Sequence, residues 1–113
     1  MKSPAHRHVD AIFAALADPT RRRVVEKLAR GGTVTASGLA EQLPITRQAV
    51  AKHLSALHGA ELLSVSRVGR ETHYKLRPQP LEEAAHWIQM VSAEWGDRLE
   101  ALRRSLEKRG SRA

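Results

Sequence analysis

The 113-residue chain has no cysteine, one Phe, one Tyr and two Trp, and no long apolar run. Without thiols there is no disulfide framework, no thiolate metal site, and no cysteine nucleophile or redox switch, which fits a reducing compartment. No stretch approaches the roughly 20 apolar residues of a spanning helix. The basic start, MKSPAHRH, leads into an apolar run that Asp10 interrupts and Asp18-Pro19 stops, so the core of a signal peptide is missing. A cytoplasmic protein is expected. No segment joins a Lys/Arg face to a large aromatic-aliphatic one, so no membrane partner is expected. A Gly-rich phosphate loop, a nucleophile elbow and a spaced carboxylate pair are also missing, which argues against an enzyme.

What the chain has in excess is positive charge: 19 Lys+Arg against 12 Asp+Glu, a net +7 and a pI near 10.8. Such a surplus attracts polyanions before any specific contact forms, which makes nucleic acid the leading partner. A basic surface can also serve solubility alone, so the placement of the charges has to decide. A chain of this length sustains one compact domain but not two.

Val9, Ile12, Phe13 and Leu16 recur at helical spacing and predict a first helix ending at Asp18. Asp18 is placed to cap the next helix, with Pro19 at its first position, Gly31-Gly32 beyond its end, and Val24, Val25 and Leu28 facing inward. A third helix is expected over 36–43, capped by Thr35 and ended by Pro44, with Leu39 and Leu43 inside. Gly38 stands where a capping box would place Glu or Gln. A fourth is expected over 46–57. From Leu63 the period changes: Leu63, Val65, Tyr74 and Leu76 alternate with Ser64, Ser66, His73 and Lys75, and Gly69 marks a hairpin between the two runs. Pro78 and Pro80 punctuate the chain, and a long helix is expected over 81–108. Residues 1–8 are expected to form a flexible arm, 9–108 a single domain, and 109–113 a flexible tail.

The helices over 36–43 and 46–57, joined by a tight Pro-Ile turn, have the spacing of a helix-turn-helix. Val50, Leu54 and Leu57 anchor the second helix from behind, leaving its opposite side polar. Thr46 is placed to cap its first turn, where free N–H groups favour a phosphate. Arg47 and Gln48 suit the hydrogen-bonding edges of guanine and adenine, and Lys52 lies one turn beyond Gln48 on the same face. Val68 to Arg70, with Arg67 and Arg70 flanking Gly69, reads as a wing whose tip can lie along a phosphate backbone or minor groove. Water is the alternative occupant of each polar face; the agreement of cap, turn, basic hairpin and net charge favours DNA.

In order, spacing and content, IFAALADPTRRRVVEKLA, LAEQLPITRQAVAKHLSALHGAELL and VGRETHYKL resemble the ArsR-type winged helix-turn-helix repressors over roughly residues 9 to 107. The resemblance implies a mainly α fold with a small β-hairpin, in the order α-α-α-α-β-β-α, dimerising through the terminal helices. It implies a homodimeric regulator, most often a repressor, of a near-palindromic double-stranded DNA operator. Thr46, Arg47, Gln48, Ala51 and Lys52 match the family's DNA-facing positions; Ala51 stands where many members carry Ser, so one hydroxyl contact is missing.

The last helix carries Leu81, Ala84, Ile88, Val91, Trp95, Leu99, Leu102 and Leu106 at steps of three, four and seven. At about 1.5 Å per residue it is on the order of 40 Å long, more than a small domain needs. The expected dimer interface is Ile88, Val91, Trp95, Leu99, Leu102 and Leu106 with Val9, Ile12 and Phe13; the alternative is a helix wrapping its own domain. The family is known for metal sensing, which directs attention to the six histidines. His6 and His8 fall in the arm, His53 reads as a partly buried structural group, and His58 and His73 as surface residues. His86 lies one turn from Glu82, with Glu94 and Asp97 further along, where some relatives place zinc ligands. Two histidines at ligand spacing are missing, so no metal or other cofactor is expected. Two other functions stay open: a winged-helix module that binds protein, and a nucleoid-type protein indifferent to sequence.

Overall fold

The computed structural model describes residues 4–110, the side chains from Val9 onward. Among the described residues five helices and three strands follow in the order α1 (Pro4–Leu16), α2 (Pro19–Gly31), β1 (Thr33–Val34), α3 (Ala36–Gln42), α4 (Arg47–Gly59), β2 (Leu63–Val68), β3 (Glu71–Leu76) and α5 (Pro78–Gly110). The chain divides into two compact units, one through Glu83 and one from Ala84.

The helix starts are set by short polar side chains. Asp18 accepts from the Thr20 and Arg21 N–H groups at 2.7 and 3.2 Å, Thr35 from Gly38 at 3.1 Å, and Thr46 from Ala49 at 3.1 Å. Each satisfies a donor that has no partner inside its own helix. The Asp18 carboxyl is held below its usual range, chiefly by the Arg21 N–H, then by that of Thr20 and the charges of His53 and Arg21, against an opposing effect of burial. The inner faces converge: Ile12, Val24, Leu28, Leu39, Val50, Leu54, Leu57, Leu62 and Leu63 are each at most 2% exposed. Fully burying each such side chain stabilises the fold by about 1.5–3 kcal/mol.

Several expectations are corrected. The first helix begins at Pro4, so residues 4–8 of the expected arm are helical, and it ends at Leu16 rather than Asp18. Ile12, expected in a dimer interface, is 0% exposed and belongs to the core. A third strand exists: beyond Gly32, at φ 73°, Thr33 and Val34 pair with Lys75 and Tyr74, giving the antiparallel order β1-β3-β2. The last helix begins at Pro78 and runs to Gly110, taking in two residues of the expected tail. Proline in a first turn lacks an N–H that would find no intrahelical partner anyway, so Pro78 and Pro80 begin this helix instead of preceding it.

The fourth helix ends at Gly59, near the expected stop at His58-Gly59, and its left-handed terminator follows. Glu61, not a glycine, takes the left-handed conformation with φ 62°. Its N–H donates to His58 O at 2.9 Å and the Leu62 N–H to Leu57 O at 3.0 Å, the paired bonds of a Schellman motif. Leu57 and Leu62, its two apolar ends, are both 0% exposed. Arg77 fastens this corner, its N–H donating to Leu62 O at 2.8 Å and its Nη1 to Glu61 O at 3.3 Å.

Candidate nucleic-acid interface

The link between α3 and α4 is tight: the Ile45 N–H donates to Leu43 O at 2.8 Å across Pro44, an i to i+2 bond of the γ-turn kind. This turn delivers α4 with Val50, Leu54 and Leu57 wholly buried and Thr46, Arg47, Gln48, Ala51 and Lys52 exposed. A helix with that division presents its first two turns outward as a polar ridge.

Register explains the wing. Arg67 stands opposite Thr72, Val65 opposite Tyr74 and Leu63 opposite Leu76, and alternation places all six on one face of the hairpin. Leu63, 2% exposed, turns that face toward the body, while the rest of β2 is exposed. The tip is the two-residue turn Gly69-Arg70; Gly69 has φ 64° and Arg70 does not have positive φ, the pattern of a type II′ hairpin turn. Arg67, Gly69 and Arg70 are all exposed. The Arg67 Nη1 donates to Thr72 Oγ1 at 3.2 Å.

Between these elements lies a cleft of about 320 Å³ that sequence reasoning did not foresee. Arg47 and Ala51 line it from α4, Arg67, Arg70, Thr72 and Tyr74 from the hairpin, and Thr35 and Ser37 from the start of α3. Glu71 contributes the single carboxylate. Gln48 and Lys52 are not among its walls. Alternation could have placed Thr72 and Tyr74 on the face of Arg67, but Ser37 reaches the site only through tertiary packing.

The histidines divide differently from expectation. His53 is half-buried and His58 exposed, as expected, but His73 is half-buried rather than on the surface, and its Nε2 is enclosed with no hydrogen-bond partner. His86 and Glu82 are exposed on α5. Among the described residues no three His, Cys, Asp or Glu side chains gather closely enough to hold a metal ion, and no helix is long and apolar enough to cross a membrane.

Over residues 16–66 the chain matches the Helix-turn-helix domain family. It is 35% identical over 77 residues to the transcriptional repressor SdpR of Bacillus subtilis, covering 68% of this chain and 84% of SdpR. To the HTH-type transcriptional regulator Rv2034 of Mycobacterium tuberculosis it is 41% identical over 76 residues, covering 67% and 70% of the two chains. An ArsR-like transcriptional regulator from Rhodococcus sp. RHA1 superposes with a TM-score of 0.77 at 37% identity, over 90% of this chain and 95% of that one. Anchored helix, basic wing and these likenesses together define a winged helix-turn-helix protein, a DNA-binding transcriptional regulator and not an enzyme. The chain belongs to the ArsR family.

Proposed function

We propose that the chain is a homodimeric repressor of a near-palindromic operator. The observation that carries this reading is the ridge of Thr46, Arg47, Gln48, Ala51 and Lys52, exposed on a helix whose other side is sealed into the core. Such a helix enters a major groove as a rigid body, while Arg67, Gly69 and Arg70 of the wing lie along the adjacent backbone. The likeness to the repressor SdpR supports the direction of control. Support for the dimer comes from α5, where Ile88, Val91, Trp95, Leu99, Leu102 and Leu106 are each between 45% and 59% exposed. An apolar strip of that length is unusual on a monomer. Val9 and Phe13, half-buried on α1, belong to the same proposed interface. Twofold symmetry would then set two recognition helices about 34–36 Å apart, one turn of duplex.

Selection of oligonucleotides from a random pool by the purified protein, followed by footprinting, tests the reading. The expected product is an inverted repeat with half-sites one helical turn apart, bound with an affinity that falls steeply with salt. Equal binding to shuffled duplexes would make it a nucleoid-type protein, and no binding to any duplex would leave a protein-docking module.

A further inference from the structure

We propose that the cleft between α3, the first turn of α4 and the inner face of the wing is the seat of one phosphodiester of the DNA backbone. In this assignment Arg47 serves that phosphate rather than a base edge, and base reading falls to Gln48 and Lys52. The inference rests on the DNA-binding function proposed above and divides the labour within it.

Three arginines, Arg47, Arg67 and Arg70, line one cleft of about 320 Å³ with a single acidic residue, Glu71. Like charges gathered by the fold repel one another, and an anion between them relieves that repulsion. Ser37, Thr72 and Tyr74 add hydroxyl donors to the same walls. Arg67 is already oriented by its hydrogen bond to Thr72, which lowers the cost of ordering it on a ligand. Arg47 is the first residue of α4, and helical side chains lean toward the N-terminus, here toward the cleft. Residues 47 and 51 lie on one face of the helix and 48 and 52 on the next, about 100° around. Only the first pair lines the cleft. Ala51 contributes no more than a methyl group, so the position where a larger side chain would fill the cleft leaves it open.

The test scans a duplex selected by the native protein with neutral methylphosphonates, one position at a time, against the native protein and R47A, R67A, Q48A and A51L. At one phosphate per half-site the neutral linkage is expected to weaken the native protein by roughly tenfold and to have little effect on R47A or R67A. Arg47→Ala should lower affinity evenly across sequences and reduce the salt slope by about 1, whereas Gln48→Ala should relax base preference. Ala51→Leu should weaken binding as R47A does while keeping native secondary structure by circular dichroism. If the native protein discriminates its operator but no phosphate loses its effect in R47A or R67A, the seat is overturned and the DNA-binding function stands. If R47A loses base preference, Arg47 is a base reader and the division fails. If the native protein binds no duplex, both fall. Inorganic phosphate supplies the second arm: at constant ionic strength it should compete with the duplex for the native protein and lose that competition in R47A, and equal competition in both would place the anion elsewhere and overturn the seat.

Discussion

Replacing Trp95 with Glu should convert the protein to a monomer that binds its operator far more weakly. Trp95 is 59% exposed on α5, and Ile88, Val91, Leu99, Leu102 and Leu106 are exposed to a similar degree. Full burial of such a side chain is worth about 1.5–3 kcal/mol, so covering the exposed half of each contributes about 1 kcal/mol. Six per protomer and two protomers give about 12 kcal/mol, set against an association cost of about 4–15 kcal/mol. Gain and cost are of the same order, so a loss of several kcal/mol weighs heavily on the balance. Trp95→Glu forfeits about 1 kcal/mol per copy and encloses an unpaired carboxylate at several kcal/mol more. Counted twice by symmetry, the loss exceeds about 6 kcal/mol, a rise in Kd of more than about 10⁴-fold. Sedimentation velocity reads this directly, at concentrations where the native chain is dimeric. Arg104→Glu, half a turn from the strip by helical geometry, is the control and should remain dimeric. A Trp95→Glu protein that still sediments as a dimer would refute the assignment of this strip to the interface.

Glu61→Gly should raise stability by up to about 1 kcal/mol in denaturant unfolding, because glycine adopts the left-handed terminator of α4 without a Cβ penalty; marked destabilisation would mean that side-chain contacts of Glu61 outweigh its backbone strain. The acid limb of stability should depend on Asp18. Its folded pKa lies below its unfolded value, so its contribution is complete above the unfolded pKa and is lost as the pH falls through the folded one. Asp18→Asn, which keeps an acceptor for the cap and removes the charge, should therefore flatten the fall in Tm below about pH 5; an unchanged acid limb would count against this carboxylate.

The parts of the fold that could be read from sequence are those decided within a few residues of themselves. Asp18, Thr35 and Thr46 each precede an apolar-periodic run, and each caps as expected. Leu39, Val50, Leu54 and Leu57 repeat at helical spacing and all enter the core. What could not be read depends on distant partners. Two residues show no alternation, so β1 becomes visible only once β3 lies beside it. Glu61 carries no composition signal for a left-handed terminator, and the burial of Leu57 and Leu62 around it decides the matter. Ile12 and Phe13 are neighbours on one apolar stripe, yet only Ile12 is fully enclosed. The polar ridge of α4 was visible in full, but the cleft beside it joins α3, α4 and the wing and has no local signature.

The two arms of the interface differ in compliance. Both ends of α4 are capped, by Thr46 at the start and by the Glu61–Leu62 corner with Arg77 at the finish. Beyond Leu63, β2 is exposed throughout and is paired only with its neighbour β3. Variation in groove width from one target to another would therefore be taken up at the tip of the hairpin, beyond the pairing of Tyr74 and Lys75 with β1, while the helix holds its angle.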